Sequence, residues 1–281
     1  LAALPVDAEF IQFPWDLVAR NTDAIVNDLA GVTGAVRGSV HPLACLDHPE
    51  RIVVADGAVV GPYAVLDAAA GPILVGRGAR VEAHSHVRGP CVLGAGTQIL
   101  GGVVGGSTFG PECRIAGEVE GSVWQGYGNK RHHGFVGHSV LGEWVNLGAL
   151  TTTSDLKNNY GNVRVWVDGR ELDSGSPKVG AFVGAHVKTG IGTLLPTGAS
   201  VGTAANLFGG GRFTAKQVPP FAWWDGGSLA EHELERCIAT ARIAVSRRAR
   251  TLTPAAEAAL RALHASTGAE RRGLAATGAG A

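Results

Sequence analysis

The residues best suited to chemistry are concentrated between Gly126 and Arg170. Lys130 and Arg131, whose cations suit phosphate groups, stand directly before His132 and His133, whose imidazoles can accept protons near neutral pH. A neutral imidazole is the best-matched general base for a substrate amine at cellular pH. We therefore take His132 as the first candidate for a general base, ahead of His133 and of His138 further along the chain.

Acyl transfer from a thioester to an amine suits this set of groups. The reaction needs a base for the amine proton, donors for the developing oxyanion and contacts that align two substrates. Downstream, the segment Leu156–Gly161 adds another cation, two amides and a phenol. The alternative is an exposed basic loop whose histidines do no more than form hydrogen bonds.

The bulk composition narrows the partners of the protein. Lys plus Arg and Asp plus Glu both total 24 in 281 residues, so no net field attracts nucleic acid or an anionic membrane, and small molecules are favoured. The 4 cysteines form no C-x-x-C pair, which argues against disulfides or structural zinc and fits the cytoplasm. The apolar start reads neither as a signal peptide nor as a membrane span. Leu1 and the absence of methionine suggest a piece of a longer protein.

The elements that position these residues follow a period of six, which fits neither a helix nor simple alternation. Glycine or another turn former often follows the apolar position, and a small residue often stands two positions before it. Each repeat is then a short strand followed by a corner, and three strands close one triangular turn of a coil. The alternative is a Gly-rich β-sandwich with coincidental spacing. The positions are Val54, Val60, Leu66, Val75, Val81, Val87, Leu93, Ile99, Phe109, Ile115, Phe135, Leu141, Leu147, Val183, Thr189, Leu195, Val201 and Leu207.

Breaks in this period predict loops at 68–72, 100–108, 116–134 and 151–182. Helices are predicted at Pro14–Leu29, with an inward stripe that includes Leu17 and Val26, after a capping box at Ser228–Glu231, and from Thr253–Pro254. The Arg247–Arg250 run reads as a solvated face. We thus expect an N-terminal helix and linker over 1–50, a β-helix over 51–212 and a helical extension with a disordered tail over 213–281.

Several long motifs carry a family resemblance. They are NKRHHGF (129–135), GHSVLGEWVNLGA (137–149), LKNNY (156–160), VRVWVDG (163–169) and KTGIGT (188–193). They resemble the bacterial sugar nucleotidyltransferase-like family related to the bifunctional N-acetylglucosamine-1-phosphate uridyltransferase/glucosamine-1-phosphate acetyltransferase. The resemblance extends from Pro14 to about Trp223. It implies that this chain matches the C-terminal half of the family, a left-handed parallel β-helix that trimerises and binds acetyl-CoA between subunits.

The resemblance also implies roles for individual residues. The catalytic base of the family falls on His132, and its substrate-binding amide falls on Asn146. Asn159 and Tyr160 resemble the pair that serves the amino group, while Lys157 or Arg164 is a weaker match for the phosphate clamp. Lys130 is also expected to bind the substrate, on the ground of its charge beside the histidines. Acetyl-CoA contacts are implied at Ala149 and expected at Gly190 and Ile191. No metal is expected.

The chain departs from the family at three matched positions and in its phosphate clamp. Phe135 stands in place of a tyrosine, His133 in place of an aspartate and Leu150 in place of a glycine, and the cations of the clamp have no counterpart near Gly102 or Glu120. The expected function is acetyl-CoA-dependent N-acetylation of an amino sugar phosphate in UDP-N-acetylglucosamine biosynthesis, without the nucleotidyltransferase half.

Two other functions stay open. A trimeric scaffold or regulatory module without catalysis would explain the lost cations. A zinc enzyme resembling γ-class carbonic anhydrase would use His133 and His138, which are five residues apart, with His84 or His86 as a third ligand.

Overall fold

The computed structural model describes residues 9–275. Short strands dominate it, and the helices lie at the two ends of the chain. The helices are α1 (Pro14–Asp28), α2 (Leu234–Ser246), α3 (Pro254–Ser266) and α4 (Gly268–Ala275), and a 3-10 turn spans Pro49–Arg51. The strands in the first half are β1 (Ala35–Val36), β2 (Ser39–Val40), β3 (Cys45–Asp47), β4 (Ile52–Val54), β5 (Val59–Val60), β6 (Val65–Asp67), β7 (Ile73–Val75), β8 (Arg80–Val81), β9 (Ser85–Arg88), β10 (Cys91–Leu93), β11 (Gln98–Gly105), β12 (Thr108–Phe109), β13 (Arg114–Glu120) and β14 (Val123–Trp124). Those in the second half are β15 (Asn129–Lys130), β16 (Phe135–Gly137), β17 (Val140–Leu141), β18 (Thr152–Thr153), β19 (Arg164–Val167), β20 (Arg170–Asp173), β21 (Phe182–Val183), β22 (Lys188–Thr189), β23 (Leu194–Leu195), β24 (Ser200–Val201), β25 (Asn206–Leu207), β26 (Gln217–Val218), β27 (Ala222–Trp224) and β28 (Leu229–Glu231).

The strands wind into a parallel β-helix. One face is a ten-stranded sheet in the order β1-β4-β7-β10-β12-β14-β17-β21-β24-β26, in which each strand comes from the next turn of the coil. Every neighbouring pair is parallel, as in the register of Leu93 with Phe109 and of Phe109 with Trp124. The mainly β class and the hexapeptide coil predicted from the sequence are confirmed. The left-handed sense, which was implied by the resemblance, stays a prediction.

The interior of the coil holds the residues predicted from the six-residue period. Leu66 and Leu93 are fully buried, and they belong to one continuous core cluster. The predicted position Phe135 is wrong, because it is only half-buried and its neighbour Val136 lies in the core instead. Burial of such a side chain stabilises the fold by about 1.5–3 kcal/mol. Small residues two positions earlier, such as Ala64, are buried as well, because the chain turns there against the neighbouring turn.

One corner of each turn requires the left-handed backbone conformation, and we call it the left-handed corner. Its early positions are glycines, which adopt positive φ without steric cost, but the later ones carry side chains. Tyr127 and Trp144 occupy consecutive turns there, and their rings stack at 4.3 Å, a contact that offsets part of the strain. The corner consists of Gly57, Gly78, Gly96, Glu112, Tyr127, Trp144, His186, Ala204 and Phe221.

The coil is longer at both ends than the expected range 51–212. It begins at Ala35, which pairs with Val53, and it still continues at Trp223, which pairs with Asn206. The short first strands lack a clear period in sequence because they include polar residues such as Ser39. The expected boundary at residue 50 is therefore wrong, since residues 35–50 already belong to the first turn.

Two of the predicted loops are also wrong. Residues 100–105 lie within β11, which pairs with β8 through its first half and with β9 through its second half. Residues 116–134 contain the end of β13 together with β14 and β15. The apparent break arises because Trp124, Lys130 and Val136 keep the six-residue step in a phase offset from that of the flanking turns. The long excursion after Thr151 is confirmed, and it contains the antiparallel hairpin β19–β20.

The N-terminal helix is confirmed, but its buried face differs from the prediction. Trp15, Asn21 and Ile25 are buried, while Leu17 and Val26 are exposed. Trp15 packs against the β19–β20 hairpin of the long excursion, and the Asn21 side chain donates to Gly106 O at 3.0 Å. The sequence pattern misplaced the buried face of the helix because one of its inward residues, Asn21, is polar.

At the C-terminus, the predicted capping box does not open a helix. Leu229–Glu231 forms strand β28 against β27, and helix α2 begins only at Leu234. Ser228 instead donates to the carboxylate of Asp225 within a turn. Helix α3 is confirmed from Pro254, with Thr253 as its N-cap.

The tail was expected to be disordered after Gly268, but its first part is helix α4. Arg271 anchors this helix by donating to Glu231 at 2.9 Å and to Thr267 at 2.8 Å. Residues 276–281 lie outside the described range. Among residues 9–275, no helix is both long and apolar enough to cross a membrane.

Candidate functional site

His132 lies at an exposed corner between β15 and β16. Its backbone is held from inside the coil, because the Lys130 amine donates to His132 O at 3.1 Å and to Ala116 O at 2.6 Å. The carbonyl of His133 accepts from the backbone N–H of Leu150 at 2.8 Å, which fixes the corner to the next turn. The imidazole of His132 therefore projects from a backbone with fixed partners.

Lys130 does not occupy the place predicted for it. Its side chain is only 1% exposed and points into the axis of the coil, where its strand neighbours carry Ile115 and Leu147. Burial lowers the pKa of the Lys130 amine from 10.5 to about 8, against the attraction of Glu118. The expectation that Lys130 contacts a substrate phosphate is corrected, since its amine already serves two backbone carbonyls.

The residues expected to contact acetyl-CoA lie at the same corner of the coil as His132, on later turns. Ala149 precedes Leu150, and its carbonyl accepts from Gly192 N at 2.8 Å, so Ile191 lies one turn further along. Gly190 packs directly against Gly148, where an added Cβ would come within 2.5 Å of Gly190 O. Leu150 is 57% and Ile191 71% exposed, so this corner presents apolar side chains on the outside of the coil.

Asn146 belongs to an outward row of polar side chains. Its backbone bridges Asn129 on one side and Lys188 on the other, and its side-chain oxygen accepts from the Asn129 amide at 2.7 Å. Helix α2 lies over this row and leaves a cleft of about 260 Å³ between itself and the coil. The structure thus places Asn146 beside a cleft that includes residues of the C-terminal extension.

The segment that carries Lys157, Asn159 and Tyr160 forms a separate group. Lys157 and Asn159 line an open groove of about 480 Å³, whose far wall includes Phe213. Tyr160 is exposed and has positive φ at a turn. Within one chain, neither of the two clefts just described includes His132 among its lining residues.

Arg164 is already paired. Its Nε donates to the Glu171 carboxylate at 3.1 Å, and its Nη2 donates to Glu171 O at 3.1 Å. Lys216 also donates to this carboxylate, and this hydrogen bond is the main reason that the pKa of Glu171 lies below its ordinary value. As a phosphate clamp, Arg164 would first have to leave this ion pair.

The structure brings together one histidine–carboxylate pair that sequence reasoning missed. His138 Nδ1 lies 2.7 Å from Asp155 Oδ2, and both side chains are largely buried. Burial by itself would raise the pKa of Asp155, but the hydrogen bond and charge of His138, with Lys178, lower it overall. This pair was hard to predict from the sequence because Asp155 lies one turn after His138. A carboxylate that follows a strand is usually interpreted as a solvent-exposed residue.

The zinc hypothesis is not supported by the positions of its histidines. His133 and His138 flank strand β16, so about 10 Å of extended chain separates the two corners. His84 stacks on Tyr63, and His86 lies beside Asp67. In the range 9–275, no three His, Cys, Asp or Glu side chains are grouped as metal ligands.

Comparisons with known proteins agree with the motifs. The chain is 31% identical over 212 residues to the bifunctional protein GlmU of Corynebacterium aurimucosum, which covers 73% of this chain and 36% of that protein. It is 30% identical over 152 residues to GlmU of Xanthomonas axonopodis pv. citri, covering 52% of this chain and 32% of that protein. A bifunctional sugar-1-phosphate nucleotidylyltransferase/acetyltransferase from Sulfurisphaera tokodaii is 39% identical over 93 residues, 33% of this chain and 23% of that protein.

The resemblance stated from the sequence is confirmed by these relatives, and the chain spans about a quarter to a third of their length. No protein-family model matches the chain. Among solved structures, a UDP-N-acetylglucosamine acyltransferase from Campylobacter jejuni gives a TM-score of 0.34 at 12% identity, covering 74% of this chain and 77% of that one. An Arabidopsis UDP-N-acetylglucosamine acyltransferase gives 0.30 at 15%, covering 73% and 75%.

Proposed function

We propose that this chain, a relative of the bifunctional GlmU proteins, is an acyltransferase that moves an acetyl group from acetyl-CoA to the amine of an amino sugar phosphate. The observation that carries the proposal is the match to GlmU over 73% of the chain, with His132 at an exposed corner of the coil. The same corner continues, on later turns, into the residues expected to contact the donor.

The chemistry asks little of the protein. The amine nitrogen attacks the thioester carbonyl carbon, a C–N bond forms, and the imidazole of His132 takes the proton that the nitrogen loses. The C–S bond then breaks, and the thiolate of CoA leaves and takes up a proton. The Lys130 amine donates to His132 O and to Ala116 O, and it thereby ties the backbone of the base to the preceding turn of the coil.

We infer a homotrimer acting in the cytoplasm. Within one chain, the groove of Lys157 and Asn159 does not include His132, so a neighbouring copy would have to complete the site. The exposed apolar residues Leu150, Ile191 and Phe213 give the coil a surface suited to such contacts. No role for zinc is proposed.

The experiment measures thiol release from acetyl-CoA with glucosamine 1-phosphate as acceptor. His132→Gln is expected to lower kcat by about 10²–10⁴-fold, the usual contribution of a general base, with little change in KM. His133→Gln is the matched control, because it is the neighbouring exposed histidine and should keep most of the activity.

Three results would contradict this proposal. Full activity of His132→Gln would remove the assigned base, and a loss confined to His138→Asn would move the base to the pair with Asp155. If no amino sugar supports thiol release by the wild-type protein, the non-catalytic scaffold becomes the better description.

A further inference from the structure

The cleft between the coil and helix α2 has the composition of an anion site. Its cationic residues are Lys188 on the coil and Arg247 and Arg248 at the end of the helix, and no Asp or Glu is among its lining residues. The amides of Asn129 and Asn146 lie on its floor, and the stacked rings of Tyr127 and Trp144 contribute to its wall. Like charges that line one cleft repel one another, and a bound anion would offset this repulsion.

Arg248 gives a second and independent indication. Its Nε is buried and has no hydrogen-bond partner in the described part of the chain. A buried donor without a partner costs about 1–3 kcal/mol, and more when the group is charged. A ligand that supplies an acceptor in the cleft would remove this cost.

The charged neighbours of Arg248 do not offset the cost of burying its side chain. Burial lowers its pKa first, and the nearby charges of Arg114 and Arg247 lower it further, while Glu112 opposes them. Glu112 is held by Arg114, whose Nη2 donates to it at 3.0 Å. Lys188 is also partly buried, and its amine donates to His186 O at 3.1 Å, which leaves two of its protons for another acceptor.

From this geometry we propose that the cleft binds the phosphate group of a phosphorylated ligand. A phosphate carries up to two negative charges and several acceptor oxygens, which match two guanidinium forks, one ammonium and the amide donors of the floor. A single carboxylate would satisfy one fork and leave the other cations unpaired. The Arg247–Arg250 run, read from the sequence as a solvated face, is thus part of a binding site.

The phosphate could come from either ligand of the proposed reaction, the amino sugar phosphate or the CoA donor. Binding of phosphate does not require catalysis, so this site and the proposed function can fail separately.

The test is calorimetric titration of the full chain with inorganic phosphate, glucosamine 1-phosphate, CoA and 3′-dephospho-CoA. Arg248→Met should weaken binding of phosphate at least tenfold, and Arg247→Gln should weaken it less because that side chain is exposed. Arg236→Met is the matched control, since it removes the same charge from a side chain of helix α2 that is 80% exposed and lies outside the cleft.

The two larger ligands identify the source of the phosphate. If Arg248→Met weakens CoA but not glucosamine 1-phosphate, the cleft holds the donor, and the reverse pattern assigns it to the acceptor. Thermal unfolding without ligand guards against misfolding, because removal of a side chain whose buried Nε has no partner in the described part of the chain should leave the protein at least as stable as the wild type. The proposal is overturned if the wild type binds no phosphate, or if Arg248→Met and Arg236→Met bind it equally well.

Discussion

At the scale of single residues, the axis of the coil tolerates a lysine where its neighbours are aliphatic. Lys130 lies between Ile115 and Leu147 in register, yet both of its carbonyl partners belong to backbone that the sheet leaves free. An ammonium group in this place is costly to bury, so its protonation state is linked to the stability of the fold.

Lys130→Met tests this linkage. The folded-state pKa of about 8 lies below the ordinary 10.5, so between these values the unfolded chain binds more protons and the wild type gains stability as pH rises. The gain relative to Lys130→Met should approach about 3 kcal/mol by pH 10.5. Urea unfolding at several pH values measures it, with the exposed Lys178→Met as control. Parallel stability curves for wild type and Lys130→Met would contradict the burial of a charged amine.

Asp155→Asn tests the buried pair with His138. Because the pKa of Asp155 is lowered in the folded state, the ionised carboxylate contributes stability above its ordinary 3.8, and this is lost as pH falls below that value. We expect the variant to lose about 1–2 kcal/mol at pH 6 and to equal the wild type in strong acid. Asp23→Asn, exposed on helix α1, should show no such change. An equal loss at every pH would mean that packing, and not charge, explains the effect.

The candidate site could be predicted from the sequence only in part. Adjacent histidines and cations identified the region of His132, because their side-chain chemistry does not depend on the fold. The inward direction of the Lys130 side chain could not be predicted. A lysine at the position where the six-residue period calls for an apolar residue suggests that the repeat has ended. Arg248 was missed because its burial depends on how helix α2 packs against turns far away in sequence.

At the scale of elements, the strands are too short to be stable alone, and stacking of one turn on the next holds them. Glycine recurs after the apolar positions because the backbones of consecutive turns approach closely there. At Gly110 an added Cβ would lie 2.0 Å from Gln125 O, a backbone atom that cannot move aside without breaking the sheet. The six-residue period was predictable for this reason, whereas the ends of the coil, with polar strands, were not.

Gly110→Ala should therefore destabilise the protein by about 1–3 kcal/mol. Gly227→Ala is its control, because the nearest atom to its added Cβ is Asp225 Oδ1 at 3.9 Å, and it should change stability by less than about 0.5 kcal/mol. Denaturant midpoints at matched slopes measure both. Similar values for the two variants would show that the turns can separate without loss.

At the scale of the whole molecule, the coil leaves apolar side chains exposed along one side. The proposed trimer would cover Leu150, Ile191 and Phe213, none of which packs into the core of the single chain. Phe213 also lines the groove of Lys157 and Asn159, so this surface adjoins that groove.

Ile191→Asp is expected to convert the trimer to a monomer and to abolish acyl transfer while leaving the coil folded. Light scattering after gel filtration gives the mass, and circular dichroism reports the fold. Ile243→Asp on helix α2, also exposed and apolar, is the control that should stay trimeric. A monomeric wild type, or a trimeric Ile191→Asp variant, would contradict the assembly.

The left-handed corner places one residue of each turn at a regular step along the axis of the coil. Trp144 and His186 occupy this corner on consecutive turns, although the long excursion separates them in sequence. Corner residues of consecutive turns are separated by the inter-strand spacing of about 4.8 Å. The position of a residue along the axis therefore depends on how many turns precede it and not on how many residues do. Gain or loss of a whole turn would therefore lengthen or shorten the coil by about 4.8 Å.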